Sequence, residues 1–330
     1  MFNAVVWAVS MVLGTLMNSP VYVPIMLEQV STPFYLAEGP HWDVEDNVLY
    51  FIDMFAQNIH CYHPETHEVT YAHLTGGPVT VVVPVAGKKN TFVVGCGTDL
   101  IEVLWDHRSN NLSPVTKLIS SVEVGRTNIR FNDGKVDPRG RFWAGTMGQV
   151  GSGQLIDNIG SLYRFEYNGT STKVLSPVSI SNGLAWSHKK DTFYFADSPT
   201  LRVDAYDYND NTGDISNRRT VFNLVEHNIP GIPDGLTIDI VGHLWVAING
   251  GSRVIEIDPN TGKLFRTIRF PTAKINSVAF GGPNLDVLYV VTAQHDLSEQ
   301  ELIEQPLAGC IFAIRDLGTK GTPMLSYIRV

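Results

Sequence analysis

Apolar and polar positions alternate along most of this chain in short runs, and one compound pattern returns six times. A turn-forming segment leads into an apolar, aromatic-rich run in EDNVLYFID (45–53), KKNTFVVG (88–95), PRGRFWAGT (138–146), KKDTFYFAD (189–197), VGHLWVAIN (241–249) and NLDVLYVVT (284–292). The first strand residues are Leu49, Phe92, Phe142, Phe193, Leu244 and Leu288, spaced 43, 50, 51, 51 and 44 apart. Each run is bounded by Gly, Asn, Asp or Pro, the punctuation of hairpins. Further alternating stretches follow, such as SLYRFEYNG, RVDAYDYND and RVIEIDPNTGK, and no stretch of 12 or more residues after Val30 has strong helical periodicity. Repeats of this length, each holding about four short strands, are propeller blades. The pattern therefore predicts an all-β, six-bladed β-propeller of four-stranded blades, a single domain over residues 21–330. A count of roughly 150 residues per domain would instead suggest two. VYVPIMLEQV (21–30) and the terminal MLSYIRV are both strand-like. Pairing N- and C-terminal strands in one blade would close the ring and remove two open edges.

A polar residue opens the strand before each repeated run: Glu38, Thr80, Asn132, Asn182, Asp234 and Asn276. The innermost strands of a propeller all begin at one face, so these positions converge on the central channel. Four have a glycine one or two residues on (Gly39, Gly134, Gly183, Gly235), which lets backbone approach the axis. The ring is all oxygen donors with two carboxylates, a set suited to a hard divalent cation such as Ca²⁺, Mg²⁺ or Mn²⁺. One such residue alone is more simply a strand cap. Six at one repeat phase argue for a bound ion. Three or four side-chain ligands leave open coordination positions, which Lewis-acid catalysis needs.

Composition narrows the alternatives. The net charge is −9, with 24 Lys plus Arg against 33 Asp plus Glu. An acidic surface repels phosphate backbones, so no nucleic-acid partner is expected. Three cysteines without a CxxC, Cys61, Cys96 and Cys310, predict neither a disulfide framework nor a zinc ribbon, and Cys96 reads as a core thiol. His60, His63, His67 and His73 cluster around a Pro64-Glu65-Thr66 turn and read as solvated hairpin residues. Asp207, Asn209 and Asn211 mimic a calcium loop but lack its glycine and its bidentate glutamate, so a hairpin turn is expected. No GxSxG, HExxH, GxGxxG or GxxxxGK[ST] occurs. Val5 to Met17 is an uncharged run of 13 residues, the length of a signal-peptide apolar region and shorter than the roughly 20 of a membrane span. It reads as a hydrophobic leader over residues 1–20, or as an N-terminal extension, because no Lys or Arg precedes it. Cytoplasmic and secreted locations both stay open, and no stable membrane span is expected.

AEGPHWD, RFNDGKVDPRGRFWAGTM, SNGLAWS and PDGLTID, in that order and spacing, resemble the gluconolactonase/regucalcin (SMP-30) family from about residue 31 to the end. DISNRRTVF through PGIPDGLTID, with SVAFGGPNLDVLYV, is similar to its insect branch, which includes luciferin-regenerating enzymes. The resemblance implies a six-bladed propeller and a divalent-metal-dependent hydrolase of lactones, a carboxylic ester hydrolase taking a small-molecule lactone or ester. Some members are described as calcium-binding proteins, so a non-enzymatic calcium-binding propeller is the alternative. Carried onto this chain, the implied metal ligands are Glu38, Asn182 and Asp234, for Ca²⁺, Zn²⁺, Mn²⁺ or Mg²⁺. The implied substrate-binding pair is Arg130 and Asn132. Asp234 is also the implied general base, with activated water attacking a lactone carbonyl that the cation polarises. In a strand, Arg130 and Asn132 would share one face, whereas Asp133 would point away and support the ring from behind. One departure follows GTM. Sugar lactonases continue with an acidic pair, whereas here Met147 precedes Gly148, Gln149 and Val150. A less polar lactone or ester is therefore expected.

Overall fold

Six antiparallel blades ring a central axis in the computed structural model, which describes residues 5–16, 19–148 and 155–329; blades 5 and 6 are joined through Val5–Leu16 into one nine-stranded sheet. Blades 1 to 5 each use four consecutive strands, over residues 37–73, 79–121, 129–178, 181–223 and 232–269. Blade 6 takes three strands from the C-terminal part (Ile275–Gly281, Val287–Thr292, Phe312–Ile314) and its outermost from the N-terminal part, Ser19–Gln29. The closing register pairs Leu27 with Ile314, Glu28 with Ala313 and Gln29 with Phe312. Closure by both ends of the chain is thus as the sequence predicts, but MLSYIRV is not the closing strand. Phe312, Ala313 and Ile314 are buried on both faces, as an interior strand requires, whereas only Tyr327 of the terminal stretch is fully buried. Part of the expected leader, residues 1–4 and 17–18, lies outside the described residues. Its Val5–Leu16 section runs as a strand against Ser19–Gln29 and touches the outer strand of blade 5 through Met11 and Val12. Among the described residues, no helix is long and apolar enough to cross a membrane.

The recurrent turns have a specific chemistry. In blade 3, Asp137 Oδ1 accepts from the amides of Arg139 and Arg141 while Oδ2 accepts from Trp143 Nε1. In blade 5, Asp239 does the same for Val241, His243 and Trp245. An aspartate thus ties the turn to the aromatic residue of the following strand, which anchors that strand in register. All six marker residues from Leu49 to Leu288 are buried. The core is divided into six clusters, one at each interface between neighbouring blades. Blades hold each other through those faces, because each sheet's apolar side chains have only the adjacent sheet to bury against.

Residues 319–329 cross the face opposite the ring of polar residues. Gly321 bridges Asp239, Met324 enters the lower channel beside His41, Val82 and Asp133, and Tyr327 bridges Val85. Further on, Ile328 donates its amide to Gly140 O and Arg329 pairs with Glu102. This strap ties blades 5 and 6 to blades 2 and 3 and blocks the rear mouth of the channel. The opposite, front face remains the way in.

Candidate active site

Every inner strand breaks register where its ring residue sits. The break falls at Thr80 between Val79 and Val81, at Asn132, at Asn182, at Asp234, and at Asn276 between Ile275 and Ser277; in blade 1 it begins just after Glu38. Such bulges place an extra residue opposite one partner and turn its side chain out of the normal alternation. Here all six turn toward the axis. The glycines that follow make room. A Cβ at Gly235 would lie 1.9 Å from Ser277 Oγ, and one at Gly183 would lie 2.6 Å from Leu236 Cγ.

The six positions are not equivalent. Asn276 Nδ2 donates to Ala37 O at 3.1 Å, and its Oδ1 accepts from Asn249 Nδ2 at 3.0 Å. It is a clamp between blades 5, 6 and 1. The Thr80 hydroxyl is spent on Gly95 O at 3.4 Å. Asn132 Nδ2 donates to Asn182 Oδ1 and to Ser181 O, both at 3.0 Å, and Arg130 donates to Asn132 Oδ1 at 2.8 Å. Asn182 is held in turn by donating to Ser198 Oγ at 2.7 Å. Asp234 Oδ2 accepts from Asn249 Nδ2 at 3.1 Å, whereas its buried Oδ1 has no hydrogen-bond partner among the described residues. A buried carboxylate oxygen without a donor costs several kcal/mol unless a cation or a proton takes it (roughly 1–3 for a neutral group and more for a charged one).

The electrostatics point the same way. Burial, then Asp234 and Asp133, hold the Glu38 carboxyl well above the usual carboxylate range. Asp234 is pushed up to about 8, chiefly by burial, with Asp133 adding to it. Like charges confined together in low dielectric retain a proton unless a cation compensates them. Arg130 is depressed by burial to about 10, and Glu38 partly offsets that. Glu38, Asn182 and Asp234 therefore fit a divalent cation in donor chemistry, in charge and in the unpartnered oxygen.

Arg130 and Asn132 do meet, but through a bulge that begins immediately after Phe131 rather than through a regular strand face. The same bulge corrects the expectation for Asp133. Its side chain lines the channel with Gly39, His41 and Lys135, and its Oδ1 accepts from the Gly134 amide. Lys135 below it is depressed by burial to about 8. Gln149 and Val150, where the acidic pair of sugar lactonases would fall, lie outside the described residues. Sequence reasoning missed Asn249, which donates to Asp234, and Ser198, which accepts from Asn182. Asn249 closes the VGHLWVAIN repeat, so its repeat phase was the available signal. Also missed was an aromatic group on the front face, beside the strand that carries Glu38. Tyr35 and Phe55 each pack on His295, at centroid distances of 5.3 and 5.0 Å.

Comparison with known proteins gives the family. Residues 36–294 match the family model described as SMP-30/Gluconolactonase/LRE-like region. A regucalcin from Xenopus laevis is 39% identical over 297 residues, covering 88% of this chain and 94% of that protein. A solved luciferin-regenerating enzyme superposes with a TM-score of 0.86 at 36% identity, covering 92% of this chain and 99% of that one. The regucalcin of Agrobacterium tumefaciens, described as a calcium-binding protein, shares the fold with a TM-score of 0.81 at 24% identity, over 91% of this chain and 96% of its own. With a propeller whose inner-strand bulges gather Glu38, Asn182 and Asp234, and with that match across most of its length, the chain belongs to the SMP-30/gluconolactonase/LRE-like family.

Proposed function

We propose that this protein is a divalent-metal-dependent lactone hydrolase, with Glu38, Asn182 and Asp234 as the metal ligands. The observation that carries the reading is Asp234 Oδ1, buried and without an aligned donor, near a second carboxyl, the half-buried Glu38. A cation held there supplies Lewis acidity, polarising a carbonyl and acidifying water. Asp234 then accepts the proton that water loses as it attacks the carbonyl carbon. With Oδ1 turned to the cation, Oδ2 keeps a second lone pair beside its Asn249 hydrogen bond, and that hydrogen bond holds the carboxylate in place to take the proton. Arg130 and Asn132, already bonded to each other, orient the substrate's oxygens from the blade 3 side. The strap across the rear mouth keeps bulk water from entering behind the substrate.

The pocket walls favour a less polar lactone or ester over a polyhydroxylated sugar lactone. Tyr35 and Phe55 offer exposed aromatic surface on the front face, and the acidic pair of sugar lactonases is missing after Met147. Proton release by pH-stat, over a panel from gluconolactone to aliphatic lactones, tests this. The protein is stripped with chelator and reloaded with Ca²⁺, Zn²⁺, Mn²⁺ or Mg²⁺. Turnover that needs the metal and vanishes in Asp234→Ala supports the hydrolase. Metal-dependent thermal stabilisation without turnover on any lactone would favour a calcium-binding propeller instead.

A further inference from the structure

The histidines expected to be solvated around the Pro64 turn have two different fates, and one of them makes a second site. His60 is buried between Phe34, Phe51 and Tyr71, with neither ring nitrogen meeting an aligned partner among the described residues. His63, three residues on in the same strand, lies instead beside Cys61 and beside His107 of the neighbouring blade. Cys61 Sγ and one nitrogen of each imidazole all lie within 4.8 Å of one another. Cys61 and His107 are 0% and 2% exposed, and His63 is half-buried.

We propose that Cys61, His63 and His107 form a metal site for a thiophilic divalent cation of the zinc class, at the rear of blades 1 and 2. Cys61 Sγ stands 3.6 Å from His107 Nδ1. Ligands at about 2.3 Å (sulfur) and about 2.0–2.1 Å (nitrogen) from a tetrahedral zinc are themselves about 3.6 Å apart. The other nitrogen of that ring, Nε2, is buried and lies 3.3 Å from Asp46 Oδ2, within reach of that carboxylate but not aligned for a hydrogen bond. A carboxylate behind a ligating histidine is what fixes its tautomer and raises its basicity. The backbone around the site is also fixed, because the His107 carbonyl accepts from the Thr70 hydroxyl and lies 3.1 Å from His63 Nε2.

Three protein ligands leave a fourth position for solvent on the half-exposed His63 side. An entry path exists, since Asp46, Tyr50 and His107 line a rear groove of about 1130 Å³. On binding, the thiol releases its proton to solvent and the thiolate takes the metal. The chemistry is opposite to that of the channel, one thiolate and two imidazoles against two carboxylates and an amide, so the two sites select different cations. Asp239, His243 and Glu256 form the other compact group of this kind but are already committed. Asp239 accepts from two amides, an indole and Thr319, and Glu256 lies 2.6 Å from Arg266 Nε.

Titration of the full-length protein with Co²⁺ decides the matter, because a thiolate ligand gives a sulfur-to-cobalt charge-transfer band that oxygen ligands do not. The wild type is expected to show that band and to bind two ions, and added Zn²⁺ should abolish the band. Asp234→Ala should lose one ion and keep the band, whereas Cys61→Ser should lose the band and keep the other ion with its lactone turnover. If Cys61→Ser does not fold, the Asp234→Ala protein alone still gives the answer. A thiol–imidazole hydrogen bond with no metal has the same 3.6 Å separation. It would leave the wild type without the band, and that result overturns the proposal, as does a band that survives Cys61→Ser.

Discussion

The two faces of this propeller gather polar side chains by different means. At the front, the six ring residues come from one repeat position, five of them within a bulge of their own strand and Glu38 immediately before one. At the rear, Cys61 and His107 come from unrelated positions 46 residues apart, brought together because the loop after the third strand of blade 2 packs on blade 1. The front site is therefore built by local geometry repeated around an axis, and the rear cluster by the packing of two blades. Hard oxygen donors arise from the first and a soft sulfur–nitrogen set from the second. A repeat architecture can thus carry unrelated chemistry at its two ends without either constraining the other.

The comparison can be broken most sharply at Asp234. Asp234→Ala should lower lactone kcat/KM by about a thousandfold or more, since under the proposed function it removes a metal ligand and the proton acceptor together. Equal loss in Cys61→Ser would show that the two ends are coupled. Asn249→Ala should be milder, because Asn249 only orients Asp234 and Asn276. A 10- to 100-fold weakening of channel-metal affinity, about the usual cost of such a supporting residue, is expected by calorimetric titration of the stripped protein.

The next effect is on stability. His60 is lowered by burial to about 3, against 6.5 for a free imidazole. Between those values the unfolded chain binds a proton that the folded chain refuses. Stability is therefore full above the free value and falls as pH drops below it. At about pH 5 the loss is on the order of 2 kcal/mol. His60→Phe, which keeps a ring between Phe34 and Phe51, should remove about that much of the loss between pH 8 and pH 5 in denaturant melts, while His41, also lowered by burial to about 3, keeps its own share; an unchanged slope would assign none of it to His60. The smallest expected effect belongs to Asp46→Asn, about a tenfold weaker Co²⁺ affinity at the rear cluster with the charge-transfer band retained. A side chain serving only the hairpin would leave that affinity unmoved.

The fold was legible because turn chemistry and apolar runs recur locally. An aspartate bonded to turn amides and to a tryptophan two turns of pattern later is a sequence feature before it is a structural one, as Asp137 and Asp239 show. Glu38, Asn182 and Asp234 were legible for the same reason, as one phase of that repeat, and the family resemblance selected them from the six. Asp133 was misplaced because strict alternation fails at a bulge, and a bulge has no signature in one strand's sequence. His60 was misplaced because its burial depends on Phe34, from the loop before blade 1, and on Phe51, from the neighbouring strand.

Sequence by itself determined the number of blades, their order and the position in each that faces the axis, all properties of a short segment and its copies. Tertiary structure alone decided which ring residues are spent as clamps, which carboxylate oxygen is left without a donor, and that Cys61 meets His107. Those outcomes depend on partners from other strands, in the same blade for Asp234 and Thr80 and in a neighbouring blade for Asn276, Asn132 and Cys61, and no local pattern encodes the distance between two strands or two sheets.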